Sequence, residues 1–244
     1  MSARYLLEIA SNSAMSAVAA QQGGAGRIEL FDNLEQGGTT PSAGTIGVAR
    51  DALRIPLYVL IRPRPGDFHY GPMETEIMLR DIALCRQQGC DGVVIGALTE
   101  EGDIDTALCR ELISAAGPLG ITFHRAFDAA RDLTSALEQV IGLGCERVLS
   151  SGGHRDAWEG RAVLAAMVQQ GKGRITVMAG AGLNAHNIQD VALATGCSEL
   201  HASAKQAQAS RMRHRNPALL GLENDWLQSD AGQVAALRAA LAAP

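Results

Sequence analysis

Short apolar segments alternate with longer, Ala-rich segments along most of the chain. The short segments are rich in β-branched residues, as the buried strands of a parallel sheet are. They predict eight strands, over Tyr5–Ala10, Arg27–Phe31, Leu57–Ile61, Gly92–Ile95, Gly120–His124, Arg147–Ser150, Thr176–Ala179 and Glu199–Ala202. The segments between them have helical periodicity and predict helices over Ser13–Gln22, Ser42–Ala52, Glu74–Gln88, Ile104–Ala115, Leu133–Gly142, Ala157–Gln170, Asn184–Ala194 and Gly232–Leu241.

Eight strands that are each followed by a helix predict an α/β protein with a single (β/α)8 barrel of the TIM type. The length of 244 residues is typical of this fold, and no Pro- or Ser-rich linker divides the chain. We therefore expect one domain over residues 1–244. The segment Ser203–Asp230 is longer than the other connections, contains Arg211, Arg213 and Arg215, and is a candidate lid.

Composition narrows the classes of function. The chain is 47% hydrophobic and 19% charged, and its net charge of -5 argues against a non-specific nucleic-acid binder. Arg4 leads directly into a predicted strand without the apolar region of a signal peptide, and no apolar run approaches the roughly 20 residues of a membrane span. We therefore expect a cytoplasmic protein without nucleic-acid or membrane partners.

The five cysteines are an odd number and include no Cys-x-x-Cys pair, which fits reduced thiols better than a disulfide framework. Cys90, Cys145 and Cys197 follow glycines in turns that lead into predicted strands. We expect these three to be small buried hydrophobic residues. Cys85 and Cys109 lie in predicted helices and are interpreted as packing residues too.

Charged residues interrupt several predicted strands. Both faces of a strand in a parallel barrel are covered, so a charge there needs a partner or a ligand. Alternation along the strands directs Glu8, Glu29, His124 and His201 to the interior, in the half of each strand nearest the usual active-site face. Two interpretations remain open, namely ion pairs with nearby arginines or one polar site with catalytic roles.

The arginines available for such ion pairs are those of the loops after the third and fifth strands, namely Arg62, Arg64 and Arg125. Three other charged residues, Arg27, Arg147 and Glu199, lie at strand starts. They predict a separate ion-pair network at the opposite end of the barrel.

The segment Thr122–Asp128 combines three kinds of polar side chain. His124 can exchange a proton near neutral pH, Arg125 carries a permanent planar cation, and Asp128 is a carboxylate that can orient either of them. A satisfied buried histidine beside an Arg–Asp salt bridge is the alternative interpretation. We add Asp128 to the four interior residues as a candidate catalytic residue.

The loops after the strands have features of an anion-binding site. Two arginines follow the third strand in a segment stiffened by prolines. A Gly-Ala-Gly turn follows the seventh strand, where barrels commonly bind phosphate through backbone N–H groups and a helix N-terminus. The candidate anion-binding residues are Arg62, Arg64, Arg125, Gly180, Gly182 and Ser203.

These segments resemble the CutC family, which is named for copper homeostasis. The matching residues are Leu6-Leu7-Glu8, Arg27-Ile28-Glu29-Leu30, Gly37-Gly38-Thr39-Thr40-Pro41-Ser42, Ile61-Arg62-Pro63-Arg64 with Gly66-Asp67-Phe68, Thr122–Asp128, Met178–Gly182, Glu199-Leu200-His201 with Ser203-Ala204, and Met212-Arg213 with Arg215-Asn216. The resemblance spans nearly the whole chain and implies a (β/α)8 barrel and a role in copper handling.

The chain departs from the family pattern where copper is concerned. Family members proposed to bind Cu(I) carry cysteine two residues after the glutamates of the first two strands, and here those positions are Ala10 and Phe31. Cu(I) prefers thiolate or thioether ligands, and neither side chain supplies one. Pro65 also stands where the family usually has glycine.

Three functions therefore remain open from the sequence. The first is a CutC-like role in copper homeostasis. The second is an enzyme that acts on a small anionic or phosphorylated substrate at the carboxyl ends of the strands. The third is a site for a hard divalent metal such as Mn²⁺ or Zn²⁺, held by Glu8, Glu29, His124 and His201. The sequence identifies no cofactor and leaves open whether the chain forms a homo-oligomer.

Overall fold

The computed structural model describes residues 5–216, 218 and 225–242. Eight parallel strands close into a barrel in chain order, and the eighth pairs with the first. They are β1 (Leu6–Ser11), β2 (Arg27–Leu30), β3 (Leu57–Leu60), β4 (Gly92–Ile95), β5 (Gly120–Phe123), β6 (Arg147–Ser150), β7 (Thr176–Gly180) and β8 (Glu199–Ala202). The predicted (β/α)8 barrel is confirmed, and the strand ends lie within about one residue of their predicted positions.

A helix follows each barrel strand. The helices are α1 (Ala14–Gln22), α2 (Ala43–Ala52), α3 (Pro72–Gln87), α4 (Thr106–Ala116), α5 (Leu133–Gly142), α6 (Arg161–Gly171), α7 (Ile188–Thr195) and α8 (Ala231–Ala242). Ser42 caps α2, because its hydroxyl accepts a hydrogen bond of 3.1 Å from the backbone N–H of Thr45. Within the described part of the chain, none of the helices has the length and apolarity of a membrane span.

Two helices begin later than their patterns predict. In the prediction α7 begins at Asn184, but the side chain of Asn184 accepts from the N–H of His186, and Asn187 accepts from the N–H of Asn184. These side-chain bonds take up backbone donors in a turn, and the helix starts only at Ile188. Helix α6 starts at Arg161 instead of Ala157 for a related reason, since residues 157–160 form a turn against the loop after β6.

The apolar core lies between the strands and the helices. Leu7 and Ile9 of β1 and Val93 and Ile95 of β4 are fully buried on the helix-facing side. Their neighbours in the chain therefore point into the barrel, as the alternation along each strand requires. The five cysteines are free and buried, in agreement with the prediction that they are packing residues.

The lower part of the barrel interior holds an ion-pair network around Tyr58. Arg27 pairs with Glu199 at 2.5 Å and Arg147 pairs with the same carboxylate at 3.1 Å. Both guanidinium groups lie over the Tyr58 ring, at 5.4 and 5.0 Å from its centroid. The predicted network of strand-start residues is confirmed.

The predicted separation of this network from the upper glutamates is wrong. Glu8 pairs with Arg27 and not with any of the loop arginines Arg62, Arg64 or Arg125 among the described residues. The reason is the register, which places Glu8 directly opposite Arg27 across the β1–β2 pair.

The candidate lid contains an antiparallel hairpin. Strands β9 (Lys205–Gln208) and β10 (Trp226–Ser229) pair with each other outside the barrel sheet. The hairpin is attached to β1 and α1 through a hydrogen bond of 2.9 Å from Asn12 to the Leu227 carbonyl, and one of 3.1 Å from Ser229 N–H to Ser16. Residues 217 and 219–224 of the candidate lid lie outside the described residues.

Candidate active site

A cavity of about 520 Å³ opens at the carboxyl ends of the barrel strands. Seven of the predicted site residues line it, and they come from strands or loops on all sides of the barrel. They are Glu29, Arg62, His124, Arg125, Gly182, His201 and Ser203. A smaller cavity of about 370 Å³ adjoins it and shares Arg62, Phe68 and Arg125 with it.

Four predicted site residues do not line the main cavity. Glu8 lies beneath it and is 1% exposed. Asp128 borders the smaller cavity. Arg64 points away and pairs with Asp67 and Glu74, and Gly180 packs against the His201 side chain, with no room for a β-carbon.

Glu8, His201 and Glu29 form a buried chain from the barrel interior to the cavity. The Glu8 Oε1 atom lies 2.8 Å from His201 Nδ1, and His201 Nε2 lies 3.5 Å from Glu29 Oε2. The three side chains come from β1, β8 and β2, which are neighbours in the closed barrel. One histidine ring therefore joins two carboxylates of different surroundings.

The surroundings separate the pKa values of the two carboxylates. Burial alone would raise the pKa of Glu8, but the Arg27 guanidinium and the His201 hydrogen bond outweigh burial and hold it at about 2. Glu29 has no arginine contact, and burial together with the Glu8 charge outweighs the His201 ring and raises its pKa to about 7. Burial would lower the pKa of His201, but the hydrogen bond to Glu8 and the nearby Glu29 raise it above its ordinary value. Glu29 is thus the carboxyl that can exchange a proton near neutral pH.

His124 lies across the cavity in a different environment. Its Nδ1 atom accepts a hydrogen bond of 3.0 Å from the backbone N–H of Ala126, and its Nε2 atom has no partner among the described residues. The ring packs on Phe68, with centroids 5.2 Å apart. Burial, together with the positive charge of Arg62, lowers the pKa of His124 to about 3, so the imidazole is neutral at physiological pH.

Arg62 is a buried cation in the cavity wall, with 5% of its surface exposed. Its terminal nitrogens donate to the carbonyls of Gln36, Gly38 and Gly66, at 3.1, 2.7 and 2.7 Å. Its Nε–H group has no hydrogen-bond partner among the described residues. No described carboxylate forms an ion pair with it.

Arg125 and Asp128 form the salt bridge of the alternative interpretation, with 2.7 Å between Nε and Oδ2. Asp128 also accepts hydrogen bonds from the Ser150 hydroxyl and from the N–H groups of Ser151 and Gly153. These bonds fasten the loop after β6 to the turn after β5. Asp128 therefore shapes the second cavity, and the chain offers no direct contact between it and His124.

Glu8, Glu29 and His201 are the described group whose oxygen and nitrogen atoms lie within 4.8 Å of one another, close enough to hold a metal ion. His124 is not part of this group, contrary to the four-residue metal site considered above. Arg27 contacts Glu8 directly and places a positive charge beside the group. This charge opposes a cation, and we assign no metal here.

Thiolate copper chemistry does not fit the cavity. Ala10 and Phe31 both line it, at the positions where the resemblance implies cysteines. No cysteine or methionine belongs to the lining, as far as the chain is described. The soft ligands that Cu(I) prefers are thus absent from the described wall.

Lys205 also lines the cavity, although it was not among the predicted site residues. It reaches the cavity from β9, whose hairpin was not predicted. The available signal was its rarity, because the chain has only two lysines, Lys172 and Lys205, and Lys205 directly follows the eighth strand. Phe68, which packs on His124 and lies 5.0 Å from the Arg62 guanidinium, is a second wall residue without a predicted role.

The sequence pattern of the CutC family matches residues 5–206. A family protein CutC of Xanthomonas axonopodis pv. citri is 50% identical over 228 residues, covering 93% of this chain and 95% of the relative. One of Chromobacterium violaceum is 50% identical over 241 residues, covering 97% of this chain and 98% of the relative.

Solved structures agree with the sequence relatives. CutC of Streptococcus agalactiae, which bears a copper homeostasis name, superimposes with a TM-score of 0.79 at 33% identity, covering 82% of this chain and 98% of that chain. A thiamine phosphate pyrophosphorylase of Pyrococcus furiosus reaches a TM-score of 0.61 at 16% identity, covering 98% of this chain and 96% of that one, which shows a shared fold alone. The chain belongs to the CutC family.

Proposed function

We propose that this protein is an enzyme that carries out acid–base chemistry on a small anionic molecule, such as a phosphate ester, bound at the barrel mouth. The observation that carries the proposal is Arg62. It is a buried guanidinium in the cavity wall with no ion-pair partner among the described carboxylates.

A buried cation without a counter-ion is costly, by several kcal/mol even after the surroundings relax. The three backbone carbonyls around Arg62 satisfy hydrogen bonds but carry no net charge. A bound anion would supply the missing charge. Lys205, which lines the same cavity, adds further positive charge, whereas the charge of Arg125 is paired with Asp128.

Glu29 and His201 supply the acid–base groups. Glu29 has a pKa of about 7, so both of its protonation states are populated at neutral pH. His201 is held through Nδ1 by Glu8, which directs Nε2 toward Glu29. A proton can therefore be held on Glu29, where burial and the nearby Glu8 carboxylate raise the pKa and the His201 ring limits the rise.

Copper homeostasis appears in the name of a solved relative. For this chain the link to copper rests on that name alone. The described wall of the cavity offers oxygen and nitrogen atoms and no sulfur. We therefore do not propose thiolate copper binding at the barrel mouth.

The test compares two neighbouring arginines. Arg62→Gln removes the cavity cation, and Arg64→Gln removes a cation of the same loop that pairs with Asp67 and Glu74 outside the cavity. A panel of phosphate esters is screened by thermal shift, where a ligand at about 100 times its Kd adds about 2.7 kcal/mol of stability. We expect at least one stabilising ester, with Kd raised at least about tenfold by Arg62→Gln and unchanged by Arg64→Gln. Failure of all esters to bind the wild-type protein, measured also by calorimetry, would refute the proposal.

A further inference from the structure

We infer that the substrate of this site carries a carbonyl group, and that His124 Nε2–H donates a hydrogen bond to the carbonyl oxygen while Glu29 takes a proton from the adjacent carbon. This inference rests on the proposed function and names its substrate class, an anionic aldehyde or ketone. It follows from the tautomer, the charge and the orientation of the His124 ring.

The backbone fixes the tautomer of His124. A short 3₁₀ turn, Arg125–Ala129, begins directly after His124, and the first N–H groups of such a turn have no partner within it. The N–H of Ala126 therefore donates to His124 Nδ1 at 3.0 Å. An Nδ1 atom that accepts a hydrogen bond carries no proton, so the neutral ring has its proton on Nε2.

The packing fixes the orientation of the ring. Phe68 covers it at 5.2 Å between centroids, and a β-carbon at Gly96 would lie 2.5 Å from the ring Cε1 atom. The Nδ1 side faces Ala126 and Gly96, so Nε2 is the ring nitrogen that remains for a ligand in the cavity that His124 lines. Nε2 is a buried donor without a partner among the described residues, and such a donor is costly unless a ligand satisfies it.

The charge of the ring decides what kind of ligand group it suits. Burial and Arg62 keep the imidazole neutral, so it is a poor partner for a permanent anion, which Arg62 itself binds better. A neutral N–H donor suits an oxygen that gains negative charge only during the reaction. A carbonyl oxygen next to a carbon that loses a proton is such a group.

The step balances within the cavity. The C–H bond next to the carbonyl breaks and its proton goes to the Glu29 carboxylate. The electron pair forms the carbon–carbon double bond of an enolate, and the negative charge on oxygen is stabilised by His124 Nε2–H. Return of the proton to the same carbon regenerates the carbonyl group and the Glu29 carboxylate, so no oxidant or reductant is consumed.

The experiment uses matched phosphate esters with and without a carbonyl, namely dihydroxyacetone phosphate against sn-glycerol 3-phosphate. Calorimetry gives the Kd of each ester for the wild type, His124→Gln, which keeps an N–H donor, and His124→Leu, which does not. Proton NMR in D₂O follows exchange of the hydrogens next to the carbonyl. NMR of ¹⁵N-histidine protein reports the tautomer and charge of His124 without any substrate.

We expect the wild type to bind the ketone at least about tenfold more tightly than the alcohol and to accelerate its exchange. The preference should disappear in His124→Leu and return in part in His124→Gln. The ¹⁵N spectrum should show a neutral ring protonated on Nε2 from about pH 5 to 8.

Equal affinity for both esters, with Arg62→Gln still weakening both, would overturn the carbonyl assignment and leave the proposed function standing. A His124 ring that is protonated on Nδ1, or that titrates near neutral pH, would overturn it as well. Absence of binding by both esters and by the wider phosphate panel would refute the proposed function and the inference with it.

Discussion

Glu8 holds His201 through a 2.8 Å contact between Oε1 and Nδ1, while its other oxygen pairs with Arg27. All three groups are buried, so loss of the carboxylate leaves charges without compensation. We expect Glu8→Gln to lower the free energy of unfolding by about 3–5 kcal/mol, as measured in urea. It should also lower the pKa of His201, observed by NMR, because the hydrogen bond that raises this pKa is weakened.

Glu138→Gln is the matched control for that change. Glu138 also has a pKa lowered to about 2, through its contacts with Arg174 and Gln170, but its side chain is 49% exposed. Solvent screens the exposed pair, so we expect no measurable loss of stability. Equal effects of the two substitutions would contradict a special role for the buried chain.

The low pKa of His124 predicts a pH dependence of stability. Between about pH 6.5 and 3, His124 binds a proton in the unfolded chain but not in the folded protein. The stability that the neutral ring contributes to the folded state is therefore complete above this pH range and is lost as the pH falls through it. The stability difference between the wild type and His124→Gln should therefore shrink from about pH 7 to about pH 5.

The charged and titratable groups that face His124 or share its cavity are Arg62, Glu29, Arg125, His201 and Lys205. Glu29 and His201 have raised pKa values, so the stability that each contributes to the folded state is lost as the pH rises. This pH dependence is opposite to that of His124. They are present in both proteins and cancel to first order in the difference. His186→Gln, at an exposed histidine, is the control and should give a constant difference. A difference that widens on acidification would contradict the neutral buried ring.

The two lysines allow a direct test of the hairpin as part of the site. Lys205 lines the cavity, whereas Lys172 lies exposed after α6. A bound phosphate ester should protect Lys205 from amine-specific labelling, followed by mass spectrometry, and leave Lys172 reactive. Lys205→Met should raise the Kd of the ester about fivefold, as expected for the loss of an exposed charge. Lys172→Met should leave this Kd unchanged. Equal protection of both lysines would argue against a contact from the hairpin.

Copper binding should depend on two positions of the cavity wall. Ala10 of β1 is opposite Glu29 of β2 in the sheet, and Phe31 follows β2 directly. We expect the wild type to lose Cu(I) to a competing chelator under reducing, anaerobic conditions. Ala10→Cys combined with Phe31→Cys should retain Cu(I), because it introduces two thiols into one cavity. Replacement of both by serine is the control, and tight retention by the wild type would contradict the expectation.

The periodicity of the chain predicted the fold and the side of each strand on which charges lie. Alternation alone identifies Glu8, Glu29 and His201 as interior residues, because only two directions exist in a strand. It does not give the height of a residue in the barrel, which depends on the stagger between neighbouring strands. For this reason the pairing of Glu8 with Arg27 could not be foreseen.

The loop arginines show a second limit of the sequence. Arg62 and Arg64 have the same chemistry and are separated by one proline, yet Arg62 enters the cavity wall and Arg64 turns outward to Asp67 and Glu74. Which of the two arginines enters the cavity wall depends on the path of the loop backbone and on the positions of the backbone carbonyl groups. The hairpin of β9 and β10 escaped prediction because its partner strands are separated by a long insertion and lack an apolar alternation.

The seam between β8 and β1 has a consequence for biosynthesis. Glu8 and Arg27 leave the ribosome long before their partners His201 and Glu199, which belong to the eighth strand. Glu8 and Arg27 can pair with each other once β1 and β2 have formed, but their contacts with His201 and Glu199 must wait until the eighth strand has emerged. A chain released before residue 201 would therefore have neither a closed barrel nor an assembled active site.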